Sequence, residues 1–259
     1  MVIPALNEEA TVAGVVEKCL ASCAAEVLVI DSDSTDATAA AARAAGACVV
    51  NWREAAPQIP PWPGKGEALW RGVRAATGEV VVFVDADVTS LSPGWVDALA
   101  APFADPGVHL VKAAYTRRVG PGETGGGRVT ELTAKPLMRA LFSGLAHIEQ
   151  PLAGEYALRR ETALSLPFVE GYGVEAGLLV DVAAAHGPGA VAQVRLGKRV
   201  HRNRPLHELA PMADIVARTL LDRAGVAGGG GVRQRPPWEE GPIQGPIQGP
   251  IQGPVPGTI

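Results

Sequence analysis

Two nearly unbroken apolar runs set the architecture: "EVLVIDS" at residues 26–32 and "EVVVFVDAD" at 79–87. They carry too little polarity for a strand with one face in water, and strands of this kind belong to a parallel sheet covered by helices on both faces. Helical spacing fills the gaps. Val12, Val15, Val16, Cys19 and Leu20 form a stripe across residues 8–22. An alanine-rich helix is predicted over 35–45, with Ser34 or Thr35 as its N-cap, and another over 65–76 after "PGKG". "MVIP" and "ACVVN" add shorter strands; the first opens in mid-strand, so part of that strand is expected to be missing. This alternation defines an α/β fold whose ligands lie at the carboxyl ends of the strands. Three polar clusters fall there: Pro4 to Glu8, Asp31 to Asp36, and Asp85 to Asp87.

The second half is less regular. A glycine-rich loop, "GPGETGGGRVTEL", precedes helices predicted at 131–146, 174–186 and 207–224. From about residue 226 the chain turns to glycine and proline and ends in a repeated "GPIQ" unit, so 226–259 is expected to be disordered. A hydrophobic fraction of 47% in 259 residues allows a sizeable core. The net charge of −4 argues against a general nucleic-acid binder. Cys19, Cys23 and Cys48 lack zinc-like spacing, and their odd number fits a reducing compartment. No apolar run approaches a membrane span and no signal peptide is evident, so a soluble, cytoplasmic protein is expected.

Asp85 and Asp87 sit two residues apart at a strand end, where both carboxylates can reach one cation. Two close carboxylates repel unless a cation or proton is shared, and a hard ion such as Mg²⁺ or Mn²⁺ also takes phosphate oxygens. A solvated loop with two acids is the plain alternative. Lys65, flanked by Gly64 and Gly66 before a helix, suits a phosphate, although no P-loop pattern is present. Arg128 and Thr130 follow three glycines, with arginine suited to bidentate binding of a carboxylate or phosphate. "VHRNRPLHEL" is dense in donors; His201 is either a metal ligand or part of a basic strand end. Glu175 opens an apolar helix, either as an N-terminal acid or as a grip on sugar hydroxyls.

"VIPALNEEATV", "VLVIDSDSTDAT" and "VVFVDAD" resemble the nucleotide-binding half of GT-A glycosyltransferases. More narrowly, "PGKGEALWR", "GGGRVTEL", "QPLAGEYALRRE", "PFVEGYGVEAGLLVD" and "VHRNRPLHEL" are similar to the actinobacterial glucosyl-3-phosphoglycerate synthase family, over about residues 2–225. The resemblance implies a GT-A type, Rossmann-like, mixed but mostly parallel sheet flanked by helices. Residues 1–110 would form the nucleotide-sugar half and 111–225 the acceptor half of one domain. It implies transfer of glucose from UDP-glucose to 3-phosphoglycerate with retention, Mg²⁺ or Mn²⁺ as cofactor, a product that feeds methylglucose lipopolysaccharide or glucosylglycerate synthesis, and a homodimer. On matching positions, Pro4, Ala5, Leu6, Asn7, Glu8, Ser32, Lys65, Asp85, Ala86 and Tyr172 would hold the nucleotide sugar. Asp87 and His201 would ligate the metal, and Glu175 would hold glucose hydroxyls. Gly127, Arg128, Val129, Thr130 and Asn203 would receive the acceptor, with the Leu152 carbonyl near its hydroxyl.

The chain departs from that pattern in three places. Asp33 stands where the family usually has glycine, Ala86 where serine is common, and the loop from Arg118 to Gly125 is short. The competing readings are a mannosyl-3-phosphoglycerate synthase using GDP-mannose, an idle sugar-nucleotide-binding protein, and a nucleotidyltransferase. The last calls for a glycine-rich phosphate loop after the first strand, where "PALNEE" stands instead.

Overall fold

A computed structural model of the protein describes residues 1–118, 127–200, 205–226 and 231–238. Strands are β1 (Val2–Ala5), β2 (Leu28–Asp31), β3 (Cys48–Asn51), β4 (Val80–Phe83), β5 (Leu110–Arg118), β6 (Tyr156–Arg159), β7 (Phe168–Val169), β8 (Val191–Val200) and β9 (Gln234–Arg235). Helices are α1 (Val12–Leu20), α2 (Thr38–Ala44), α3 (Trp52–Ala55), α4 (Lys65–Ala75), α5 (Pro93–Ala100), α6 (Lys135–Leu141), α7 (Arg160–Leu164), α8 (Val174–His186) and α9 (Leu206–Arg223).

The main sheet has the order β3-β2-β1-β4-β6-β5-β8. β1 is parallel to β2 and β4, β2 to β3, and β5 to β8, while β6 is antiparallel to both β4 and β5. Six strands therefore direct their carboxyl ends to one edge. Reversed β6 brings its amino end, and the segment 150–155 before it, to that same edge. The apolar pattern predicts a parallel sheet, and β6 is the exception it cannot show, since "YALR" carries no mark of strand direction.

Period-two alternation divides the core. Val2, Leu28, Ile30, Phe83, Leu110, Tyr156 and Leu158 face a layer that includes Leu69, Leu178 and Leu179. Ile3, Val29, Val82, Val84, Val111 and Ala157 face the opposite layer with Val15, Val16, Val96 and Leu99. Burial on both sides explains why the strand sequences lack alternation.

Three sequence expectations need correction. The alanine-rich helix begins at Thr38 after Ala37, without a side-chain cap from Ser34 or Thr35. Those residues are drawn off to Asn7, whose N–H donates to Ser34 Oγ at 3.0 Å and whose Oδ1 accepts from Thr35 N at 2.9 Å. The helix expected over 131–146 is broken into a π-helical turn at Thr130–Ala134, then α6, then a 3₁₀ turn at Ser143–Leu145. Pro136 has no N–H to give to residue 132, and the Lys135 N–H reaches back to Thr130 O instead.

Finally, residues 231–238 are structured although disorder was expected from 226 onward. β9 pairs with β7, and Trp238 stacks on Trp70 with centroids 3.7 Å apart. Arg235 closes on buried Glu67 at 2.6 Å. A glycine- and proline-weighted composition hides the one arginine and one tryptophan that fit the side of α4. The rest of the expected tail, 227–230 and 239–259, lies outside the described residues.

Candidate active site

Lys65, the first residue of α4, is nearly buried, and its Nζ lies 2.5 Å from Asp85 Oδ1 and 2.7 Å from Glu175 Oε1. These residues come from three distant motifs and meet at the carboxyl edge of the sheet. Burial alone would lower the lysine pKa; the charges of Asp85 and Glu175 outweigh it and hold the value well above normal. Burial likewise works to raise Asp85, but Lys65 and then Arg199 hold it below the usual carboxylate range. Gly66 lets α4 come this close, because a Cβ there would stand 2.1 Å from the Val169 carbonyl oxygen. Further along α4, buried Arg71 donates to Glu67 and to the carbonyls of Trp52, Ala56 and Ile59, which fixes the helix against the loop before it.

Asp87 stands two residues beyond Asp85 and is exposed. Displacement of water by the surrounding protein, and then the Asp85 charge, raise its pKa. A cation there relieves that crowding, so the donor chemistry fits a hard divalent ion. His201, the expected second ligand, lies outside the described residues, as does Asn203. The residue before His201 is placed: Val200 N–H donates to Ser90 Oγ at 3.2 Å, which ties the end of β8 to the loop that carries Asp87. Among the described residues, no group of three or more His, Cys, Asp or Glu is arranged to hold a metal.

The first two strand ends form the neighbouring wall. Pro4 and Ala5 end β1, and Leu6 is exposed. Ser32 N–H donates to the Ala5 carbonyl at 2.9 Å, and Glu8 N–H to Thr38 Oγ1 at 2.7 Å. Asp33 adopts φ 62°, the left-handed region where glycine is free and aspartate is tolerated. Its carboxylate accepts from Arg53 Nε at 2.8 Å and Asn51 Nδ2 at 3.0 Å, and these bonds hold its pKa down at about 2. Asp33 thus forms a charged clasp between the ends of β2 and β3.

Leu152 lies in the segment before β6. Two residues on, a Cβ at Gly154 would fall 2.3 Å from Asp85 Oδ2 and 2.9 Å from Lys65 Nζ. Gly154→Ala is therefore expected to push the carboxylate off Lys65, costing about 1–3 kcal/mol in stability together with most of the activity. Chemical denaturation alongside a turnover assay checks both. Tyr172 is partly exposed on the turn Gly171–Gly173, which leads into α8 and Glu175. Gly127, Arg128, Val129 and Thr130 lie at the π-helical turn; Thr130 is buried, and the turn packs against α9, which also packs on the Tyr172 turn. This group is thus one helix removed from Lys65.

Sequence reasoning missed three buried charges at this edge. Arg199 on β8 donates to Glu155 Oε1 at 2.7 Å and stands 3.7 Å from Asp85 Oδ2. Glu155 is fully buried, and its other oxygen, Oε2, has no hydrogen-bond partner among the described residues. Lys112, the third residue of β5 and the partner of Tyr156 at the start of β6, is the third of these charges. A visible signal existed for the lysine, which interrupts the apolar run "VHLVKAAY".

The chain belongs to glycosyl transferase family 2, whose model matches residues 1–164. Within that class it is similar to proteins named glucosyl-3-phosphoglycerate synthase. It is 50% identical to the one from Mycolicibacterium smegmatis over 238 residues, 89% of this chain and 78% of that protein. The one from Petrotoga mobilis is 42% identical over 203 residues, 76% of this chain and 62% of that protein. The crystal structure of Mycobacterium tuberculosis glucosyl-3-phosphoglycerate synthase in complex with Mn²⁺, uridine-diphosphate-glucose and phosphoglyceric acid superposes with a TM-score of 0.85 at 45% identity, covering 92% of this chain and 89% of that one. A complex of the same enzyme with Mn²⁺, UDP and glucosyl-3-phosphoglycerate gives a TM-score of 0.85 at 44% identity, covering 92% and 89%.

Proposed function

We propose that this protein transfers glucose from UDP-glucose to the hydroxyl of 3-phosphoglycerate, with retention of anomeric configuration. The observation that carries the reading is the Lys65 bridge to Asp85 and Glu175 at the edge where six strands end. It joins a phosphate-seeking ammonium, the first acid of the Asp85 and Asp87 pair, and the Glu175 carboxylate, which this reading assigns to the sugar. In this reading residues 1–110 form the nucleotide-sugar half and 111–225 the acceptor half, from which Tyr172, Glu175 and His201 reach the donor.

Pro4, Ala5, Leu6, Asn7, Glu8 and Ser32 line the uridine, with Asp85 and Ala86 beneath the ribose and diphosphate. A divalent ion on Asp87 and His201, Mn²⁺ or Mg²⁺, supplies positive charge to the departing diphosphate. The Lys65 ammonium adds a second positive charge, preorganised by its two carboxylates. Glu175 and Tyr172 orient the glucose. Gly127, Arg128, Val129, Thr130 and Asn203 receive the acceptor, and the Leu152 carbonyl accepts the hydrogen bond of its hydroxyl. Attack from the face the diphosphate leaves, with the hydroxyl proton passing to a departing diphosphate oxygen as the sugar–oxygen bond breaks, preserves configuration without a protein nucleophile. Positioning of this kind contributes about 7 kcal/mol or more where geometry is good.

A cytoplasmic location is part of the same reading; it is supported by the three free cysteines. No helix among the described residues is long and apolar enough to cross a membrane.

Incubation with Mn²⁺, 3-phosphoglycerate and either UDP-glucose or GDP-mannose tests the reading, with products identified by mass and anomeric configuration by NMR. An α-linked glucosyl product from UDP-glucose alone is expected. A mannosyl product, or none, rejects it. Arg128→Ala is expected to raise the 3-phosphoglycerate KM roughly tenfold to hundredfold with kcat little changed, the worth of a charge-assisted hydrogen bond. An unchanged acceptor KM removes Arg128 from the site.

A further inference from the structure

Lys112, the third residue of β5, is fully buried and points to the same layer as Leu110. Its Nζ donates to the Ala153 carbonyl at 2.8 Å and lies 4.4 Å from the centroid of the Tyr156 ring. Burial outweighs the nearby charge of Glu175 and lowers its pKa to about 7. A buried ammonium adds little stability over an apolar side chain of similar volume. What methionine would lack at this position is a donor aimed at Ala153.

That donor acts on a segment with its own geometry. The Ala153 N–H donates to the Gln150 carbonyl at 3.0 Å. Because the peptide unit is planar and trans, this bond turns the Leu152 carbonyl to the opposite side of the chain. Lys112 then fixes the next peptide unit through the Ala153 carbonyl, and Gly154 follows directly against Asp85 and Lys65. The two peptide units on either side of the Ala153 Cα are thus each held by one hydrogen bond, and one of those bonds comes from a side chain.

We propose that Lys112 is a positioning residue: by holding the Ala153 carbonyl it sets the direction of the Leu152 carbonyl, and so the place where the acceptor hydroxyl is received. The inference rests on the role given to Leu152 above. Lys112 touches no substrate and acts through the backbone alone.

The test compares the parent protein with Lys112→Met, which keeps length and removes the donor, and Lys112→Gln, which keeps an N–H. In Lys112→Met, kcat is expected to fall roughly tenfold to hundredfold, while the UDP-glucose KM and the UDP affinity in Mn²⁺ stay within about threefold. Amide exchange over residues 152–154 is expected to quicken, and Lys112→Gln to recover part of kcat. A folded Lys112→Met with parental kcat overturns the proposal. So does a loss of UDP affinity equal to the loss of turnover. If Lys112→Met does not fold, Lys112→Gln decides by the same split between kcat and UDP affinity. If the parent makes no glucosyl product, the functional reading fails on its own; unaltered exchange at 152–154 in the variants then overturns the role of Lys112 independently.

Discussion

Replacing Asp87 with alanine is expected to lower turnover roughly 10³-fold while leaving the thermal midpoint within about 2 °C of the parent. The two effects separate because of where Asp87 sits. It is exposed beyond the end of β4, and its carboxylate is crowded by the Asp85 charge rather than balanced by it. Its removal relieves a repulsion and leaves no buried partner behind, so stability changes little. In the proposed reading activity suffers because the divalent ion would lose its carboxylate, and the departing diphosphate would keep only Lys65 for compensation. Full turnover by Asp87→Ala in the presence of EDTA contradicts this role.

Replacing Lys65 with methionine should be damaging in both respects. Asp85 and Glu175 are held on either side of its ammonium at 2.5 and 2.7 Å, and Glu175 is almost wholly buried. Without the lysine, two carboxylates are left facing each other in a site with little water. Breaking one member out of such a group costs about 3 kcal/mol, the lower end of the range, because Arg199 remains 3.7 Å from Asp85. Turnover is expected to fall as well, since in the proposed reading Lys65 supplies the charge that meets the leaving diphosphate. Denaturant titrations near neutral pH and below pH 5 separate the causes. Asp85 has its pKa lowered by Lys65, so the stability it contributes is present at neutral pH and fades as pH falls through its folded-state value. The gap between parent and Lys65→Met should therefore narrow in acid. A variant as stable as the parent at neutral pH contradicts the account of the cluster.

What the sequence revealed, and what it hid, follows from the range of the signals. β2 and β4 are readable because a strand buried on both faces is apolar throughout, and α8 because its ends coincide with a change in composition. Asp85 and Glu175 stand out as polar residues at the ends of apolar elements, and Lys65 as a lysine between two glycines at the start of a helix. The reversal of β6 left no trace, because strand direction is decided by pairing with β4 and β5 rather than by the residues of the strand. Glu155 and Arg199 were passed over for a related reason: each reads as a surface charge until sheet pairing brings them together. The docking of Trp238 on Trp70 joins residues far apart in the chain, and no local rule reports such a contact.

The most direct test of the account is to locate Mn²⁺ by anomalous diffraction in crystals of this protein grown with UDP. The account predicts one ion, bound only when the nucleotide is present, touching the Asp87 carboxylate, the His201 imidazole and diphosphate oxygens. An ion seated away from Asp87, or a UDP complex that forms equally well without metal and places its diphosphate far from Lys65, contradicts it.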